Sequence, residues 1–123
     1  MIVHSPPKGA DANGWAENQT IEQGRELKRY VRKCDYFNDI SHEEWKSYGR
    51  YYTDKFTHFD ELSLKGLRSD YIRVDIKVLN SIKNASTSTA APWFGKVGGG
   101  IQIYMDPVKD LKDSGKITFS IHF

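Results

Sequence analysis

The clearest strand signal in the chain is YIRVDIKVL, residues 71–79. β-Branched residues are frequent in this segment, and its apolar and polar side chains partly alternate, which is typical of a strand with one buried face. Two more segments alternate in the same way, IQIYM at 101–105 and KITFSIHF at 116–123. A further short strand is predicted at 51–53. The second half of the chain therefore predicts a β-sheet.

Helix signals stand ahead of these strands. TIEQ at 20–23 fits a capping box, and apolar residues at helical spacing after it predict a helix to about Asp35. SHEE at 41–44 is a second capping box, and it predicts a short helix that ends at Gly49.

A third helix is predicted from Asp106, with Pro107 at its first position, to Gly115. The order of the predicted elements, with helices first and mostly strands afterwards, favours the α+β class. In this class we expect N-terminal helices followed by a mainly antiparallel sheet. A length of 123 residues indicates one domain. We place this domain at 20–123, behind a leader or linker rich in Gly, Pro and Asn at 1–19.

The segment ahead of the strand at 101–105 carries the strongest functional signal. Residues 91–102 read APWFGKVGGGIQ, and they follow a polar loop predicted at 84–91. Three adjacent glycines let a backbone approach a ligand closely, although they cost more conformational entropy than other residues. The amide of Gln102 lies in reach of that turn. A flexible hairpin loop beside two core aromatics would produce the same pattern, so the segment alone leaves both interpretations open.

PWFG at 92–95, followed by GGG and then glutamine at 98–102, resembles the signature of the tuberculosis necrotizing toxin family of NAD glycohydrolases. Residues 106–117 resemble the helix and last strand of that family, and GRY at 49–51 resembles its G-[RK]-Y segment. The resemblance implies a compact, twisted sheet, distantly like that of ADP-ribosyltransferases. It also implies a toxin domain that hydrolyses NAD or NADP to nicotinamide and ADP-ribose or its phosphate. Such domains form the C-terminal part of a larger secreted protein, act in the target-cell cytoplasm and are neutralised by a cognate immunity protein.

The resemblance also implies a set of site residues. Gln102 and Tyr51 match the family's glutamine and tyrosine, and we predict them, with Arg73, as the catalytic residues. A neutral amide can accept from a ribose hydroxyl or orient water, but it cannot act as a general base. NAD or NADP is the substrate, and neither a cofactor nor a metal ion is expected. The predicted substrate-binding residues pair with phosphate, approach the pyrophosphate or stack on a ring: Arg50, Trp93, Phe94, Gly98, Gly99 and Gly100.

The sequence departs from the family pattern at three polar positions. The family's arginine ahead of an A-L-P turn is replaced by DEL at 60–62, and its strand histidine falls at Ile72, beside Arg73. An arginine upstream of the G-[RK]-Y segment is not evident either. The sequence does not say which residues replace these groups.

Composition limits the other functional classes. The net charge of +2, with acids interspersed among the bases, is small for a nucleic-acid binder, and no apolar run is long enough to span a membrane. A basic cluster at Lys28, Arg29, Arg32 and Lys33 is predicted to be a solvated helix face. The single cysteine, Cys34, excludes an internal disulfide, and it is predicted to be structural or incidental.

Two other activities remain open. A small ribonuclease toxin that cleaves tRNA or rRNA would use histidine, and His58 with Lys55 and Asp60 is the best set for it. An ADP-ribosyltransferase toxin would use the same dinucleotide, but no glutamate lies near the glycine segment, and the nearest acid downstream is Asp106. No cluster of residues has the spacing of metal ligands.

Overall fold

The computed structural model describes residues 14–41, 43–92 and 95–123, and over these residues the chain forms a seven-stranded antiparallel sheet with three short α-helices. The strands are β1 (Ala16–Ile21), β2 (Glu26–Arg32), β3 (Tyr51–Asp54), β4 (Tyr71–Val78), β5 (Ile82–Thr89), β6 (Ile101–Tyr104) and β7 (Ile117–His122). The helices are α1 (Lys33–Phe37), α2 (Glu44–Ser47) and α3 (Val108–Asp113), and 3₁₀ turns lie at Phe59–Leu62 and Arg68–Asp70. The strand order is β1-β5-β6-β3-β2-β4-β7.

The strands predicted from alternation are confirmed. The segment at 71–79 is β4, which pairs with β2 on one side and with β7 on the other. Its apolar residues from Ile72 to Val78 are buried, and Lys77 is exposed. The segments at 51–53, 101–105 and 116–123 contain β3, β6 and β7. The mainly antiparallel sheet of the predicted α+β class is therefore present.

The predicted helix over 20–35 is wrong. This region forms β1 and β2, joined by a turn with Gly24 at φ +90°, and only α1 at its end is helical. Leu27 and Val31 are four residues apart, a spacing that puts two side chains on one face of either a helix or a strand. Pairing of β2 with β4 along its whole length selects the strand.

The predicted loop over 84–91 is also wrong, because most of it belongs to β5. Its small polar residues resemble a loop in composition, yet Ala85 and Ser86 are fully buried between two neighbouring strands. The other two predicted helices are confirmed in outline. α2 ends ahead of Gly49, and α3 begins after Pro107, which caps it.

The sheet includes residues that were predicted as leader. β1 begins at Ala16 and pairs with β5, and the neighbouring Trp15 packs its ring 6.1 Å from Tyr51 and 6.3 Å from Tyr104. The rest of the predicted leader, residues 1–13, lies outside the described residues.

The three helices cover one face of the sheet, and strands β2 and β3 separate at its centre. Buried residues of α1, α2 and α3 join one apolar cluster with β2, β4 and β7. β2 and β3 pair only at Leu27 with Asp54 and at Lys28 with Thr53, after which they diverge. The divergence opens the sheet at its centre. In the described part of the chain, no helix has the length and apolar character needed to cross a membrane.

Candidate functional site

A cleft of about 480 Å³ lies where β2 and β3 separate. This volume is in the range of small-molecule sites. Strand β2 and the residues after it supply one wall, β3 supplies another, and Gln102 reaches in from β6. The lining residues are Lys28, Arg29, Tyr30, Val31, Arg32, Asp35, Tyr51, Tyr52, Thr53, Leu62, Ser63, Leu64, Tyr71 and Gln102.

Unpaired polar atoms are concentrated in this cleft. Four buried side-chain nitrogen or oxygen atoms lack a hydrogen-bond partner in the described residues, and three of them belong to the lining: Nε of Arg29, Oγ1 of Thr53 and Oε1 of Gln102. A buried polar atom without a partner costs free energy, and for that reason such atoms are rare in folded proteins. Together the three offer a donor, a hydroxyl and an acceptor. Thr53 and Gln102 lie on one face of the sheet, because Thr53 pairs with Lys28 and its neighbour Tyr52 pairs with Ile103, whereas Arg29 reaches the gap from the core-facing side of β2. The arrangement favours a polar ligand that bonds to Thr53 and Gln102 and extends into the gap towards Arg29.

Arg29 is the most unusual of these residues. It shares the core-facing side of β2 with Leu27 and Val31, and burial lowers the pKa of its guanidinium. Its Nη1 donates to the backbone carbonyl of Tyr51 at 2.9 Å, across the gap where the strand ladder has ended. No carboxylate among the described residues lies within 4 Å of it. A Cβ on Gly49 would collide with the guanidinium, so glycine at this position makes room for the cation.

Two of the predicted catalytic residues meet at the cleft. Gln102 turns away from the buried side chain of Ile103, as its alternation predicted, and it belongs to the cleft lining, where its Oε1 is buried without a partner among the described residues. Tyr51 stands at the rim, where its ring packs 5.1 Å from Tyr104 and 6.1 Å from Trp15. Strand pairing and aromatic packing therefore hold both side chains in place.

The structure does not bring the other two predicted arginines to the cleft lining. Arg50 places Nη1 3.3 Å from Oδ1 of Asp106. Arg73 forms two bonds to Asp75, at 2.8 Å from Nε and 3.1 Å from Nη2, and it lines a separate groove. Asp75 also lies 3.0 Å from His122. Both arginines are thus engaged by carboxylates of the protein itself.

The glycine run packs against its own chain. The amide of Gly99 donates to the carbonyl of Ala90 at 2.7 Å, and the amide of Gly100 donates to the carbonyl of Glu61 at 2.9 Å. A Cβ on Gly98 would lie 2.7 Å from the Ala90 carbonyl oxygen, which leaves no space for a side chain. These bonds anchor the start of β6 and so position Gln102, and they occupy two of the amides that were predicted to meet a pyrophosphate.

Sequence reasoning missed the residues of β2 that line the cleft. Lys28, Tyr30 and Arg32 occupy alternate positions on the strand and lie on one face, whereas Lys28 and Arg32 were predicted to lie on the solvated face of a helix. A period of two in the basic and aromatic residues of this segment was the signal that could have found them. Arg29 was missed for the same reason.

The residues of the alternative activities lie elsewhere. His58 is exposed and does not line the cleft, and no histidine does so among the described residues. Among the described residues, Asp35 is the one acidic residue that lines the cleft, and no glutamate lines it. No group of three or more potential metal ligands occurs in the described part of the chain. The predicted ring-stacking residues, Trp93 and Phe94, lie outside the described residues.

Comparison with known proteins provides an independent line of evidence. A family model described as tuberculosis necrotizing toxin matches residues 20–119, most of the chain. The match includes every residue that lines the cleft. No curated protein matches the chain.

Proposed function

The chain belongs to the tuberculosis necrotizing toxin family, whose known activity is NAD glycohydrolysis, and from this premise we propose that the β2–β3 cleft of this toxin domain binds NAD or NADP and hydrolyses its nicotinamide–ribose bond. The observation that carries the proposal is the presence of three unpaired polar atoms in the lining of one cleft, those of Thr53 and Gln102 on one face of the sheet and that of Arg29 in the gap beside them.

The reaction requires little acid–base catalysis from the protein. The nicotinamide ring of the substrate is already cationic, so it leaves as a neutral molecule when the bond from its nitrogen to the ribose breaks and the electron pair stays on that nitrogen. The sugar passes through an oxocarbenium-like state, as in glycoside cleavage generally. A water oxygen then bonds to the anomeric carbon and releases a proton to solvent. A lining without histidine among the described residues is compatible with this chemistry.

Gln102 is suited to the reacting end of the substrate. Its Oε1 is buried and unpaired, so it can accept from a ribose hydroxyl or from the attacking water without first losing a bond to the protein. Thr53, on β3 in the same lining, adds an unpaired hydroxyl that can donate or accept. The two side chains can orient the ribose and one water molecule, which lowers the entropic part of the barrier.

Arg29 is suited to the pyrophosphate. A guanidinium without a carboxylate partner in a partly buried site is stabilised when an anion arrives, and its fork matches two phosphate oxygens. Tyr51 carries the carbonyl that holds this guanidinium and presents its ring at the rim. The pair thus supplies the anion site that the predicted Arg50 does not supply from its position beside Asp106.

The biological setting follows from family membership alone. We propose that the domain is delivered as the C-terminal part of a larger exported bacterial protein, acts in the cytoplasm of a competing target cell and is neutralised by a cognate immunity protein. We also propose that the twisted sheet is distantly related to that of ADP-ribosyltransferases. Hydrolysis is favoured over transfer because aspartate is the carboxylate found in the described lining and transferases usually rely on glutamate.

The test is the decay of NAD and NADP with purified protein, followed by fluorescence, together with the release of free nicotinamide. Gln102→Ala should lower turnover by about 100-fold or more, the range seen when a transition-state hydrogen-bonding group is removed. Gln23→Ala, in the exposed turn between β1 and β2, is the matched control and should retain full activity. Circular dichroism establishes that both variants fold. Turnover that survives Gln102→Ala would remove Gln102 from the mechanism, and cleavage of tRNA or rRNA without loss of NAD would favour a ribonuclease.

A further inference from the structure

One wall of the cleft, together with the surface beside it, carries a group of cations that the reaction does not require. Four basic side chains place their charged groups 4.9 to 5.8 Å from the centres of three aromatic rings. The cations, which we call the cationic ridge, are Lys28, Arg32, Arg68 and Lys96. The rings, which pack against one another, are Tyr30, Phe59 and Tyr71.

The cationic ridge is not neutralised by the protein. No carboxylate oxygen in the described part of the chain lies within 4 Å of any of the four charged groups. Their polar contacts are backbone carbonyls: Arg68 donates to Tyr71 at 2.8 Å, and Lys96 donates to Gly66 at 2.7 Å. These bonds orient the side chains and leave further N–H groups without an acceptor. The ridge therefore has capacity for an anion.

The position of the ridge links it to the cleft. Lys28 and Arg32 line the cleft themselves, with Tyr30 between them on the same face of β2. Four residues of a strand span about 13 Å, so the two cations mark the ends of a row along the wall. Arg68 lies over the Tyr30 ring, in the middle of that row. Thr53 pairs with Lys28 across the strands, so a ligand bound beside Thr53 and Gln102 would lie on the same face as this row and next to its positive charge.

The charge of the ridge exceeds what NAD can neutralise. NAD carries two negative charges on its pyrophosphate, and two of the four cations would balance them. A phosphate monoester adds about 1.5 to 2 more negative charges at neutral pH. Resting on the proposed function, we infer that the cationic ridge binds a third phosphate group on the dinucleotide, so that the cleft prefers NADP to NAD.

The rings themselves favour a phosphate over a nucleic-acid base as the ligand of this wall. Proteins that hold single strands expose flat aromatic faces for stacking. Here Phe59 and Tyr71 are only 6% and 5% exposed, and cations lie over their rings. Phe59 and Tyr71 thus support the cations and present no stacking platform, and the partly exposed ring of Tyr30 carries Lys28 and Arg68 over it.

The experiment compares kcat/KM for NADP and NAD in the purified wild-type protein and in three variants. Lys28→Gln removes a cleft-lining charge, and Arg68→Gln removes the charge over Tyr30. Lys83→Gln is the matched control, since Lys83 is exposed on β5 and outside the cleft lining. We expect the wild type to prefer NADP by about ten-fold or more. Each ridge variant should lower kcat/KM for NADP by about ten-fold with little change for NAD, the effect of one lost charge-assisted hydrogen bond.

The outcomes separate this inference from the proposed function. Equal use of NAD and NADP by the wild type, or an equal loss with both substrates in the ridge variants, would overturn the inference and leave the glycohydrolase intact. If neither dinucleotide is hydrolysed, the proposed function fails, and calorimetric binding of NADP and NAD decides the inference alone. Tighter binding of NADP that Lys28→Gln abolishes would support it. Equal affinities, or tighter binding of a single-stranded RNA oligonucleotide than of NADP, would contradict it.

Discussion

Replacing Arg29 with methionine should separate stability from activity at a single side chain. In the folded protein the guanidinium is held by one hydrogen bond to the Tyr51 carbonyl and lies 5.9 Å from the ring centre of Tyr52. Its Nε has no partner, and no carboxylate of the described residues is in contact with it. Methionine has a similar length and fills an irregular apolar space without carrying charge. We therefore expect Arg29→Met to raise the free energy of unfolding while it strongly lowers the rate of NAD hydrolysis.

The expected magnitude comes from opposing contributions. The variant loses one hydrogen bond from a charged donor, about 1.5–3 kcal/mol, and a weak contact between cation and ring, about 0.5–1 kcal/mol. It also removes a desolvation cost of several kcal/mol for a buried ion. Because Arg29 as a residue keeps partial exposure, the full cost of burial does not apply. Lost contacts of about 3 kcal/mol, near the middle of these ranges, against a reduced desolvation cost of about 4 kcal/mol leave a net stabilisation of about 1 kcal/mol, which corresponds to about 4 °C in Tm for a domain of this size.

Thermal melts followed by circular dichroism measure the stability, and the release of nicotinamide measures the activity. Arg29→Met should melt about 4 °C above the wild type and lose about 100-fold or more in kcat/KM. Arg29→Lys is the matched control, because it keeps the charge without the planar fork; it should melt near the wild-type temperature and retain part of the activity. A melting temperature several degrees below that of the wild type, with activity retained in Arg29→Met, would show that the guanidinium is structural and refute the reasoning.

Three further perturbations have defined outcomes. Gln102→Leu should leave the free energy of unfolding in urea unchanged or raise it by about 1 kcal/mol, because a buried acceptor without a partner is removed; a clear loss of stability would contradict this. Gly100→Ala should lower the free energy of unfolding by about 1–3 kcal/mol, since the new Cβ would lie 2.8 Å from the Glu61 carbonyl oxygen. A melting curve identical to that of the wild type would show that the turn can adjust its backbone with no loss of stability. Burial raises the pKa of Tyr52 above its unfolded value of 10.0, so its contribution to stability is fully present below pH 10 and is lost as the pH rises beyond it. Tyr52→Phe loses the hydrogen bond to the Asp106 carbonyl, so its melting temperature should be lower than that of the wild type at neutral pH. Above pH 10 its melting temperature should fall less steeply with pH than that of the wild type. Parallel pH profiles of the two proteins would exclude Tyr52 as the titrating group.

The sequence predicted part of the site because one of its signals is local. Gln102 belongs to a short motif, and its alternation with Ile103 indicated that it turns away from the core, as the structure shows. Arg29 could not be found in that way. Its neighbours Leu27 and Val31 are spaced equally well for a helix and a strand, and its role depends on a gap between β2 and β3 that no local pattern encodes.

The sequence by itself determined the alternating strands at 71–79, 101–105 and 116–123 and the family of the chain, because periodicity and short motifs are properties of neighbouring residues. Only the tertiary structure decided that residues 26–32 form a strand, since seven consecutive pairs with β4 outweigh a local preference for helix. The tertiary structure likewise brought Arg50 to Asp106, which lies far along the chain, and left Arg29 without a carboxylate partner among the described residues. Which charges meet is set by strand order and by where the ladder between β2 and β3 ends, and both are long-range properties of the folded chain.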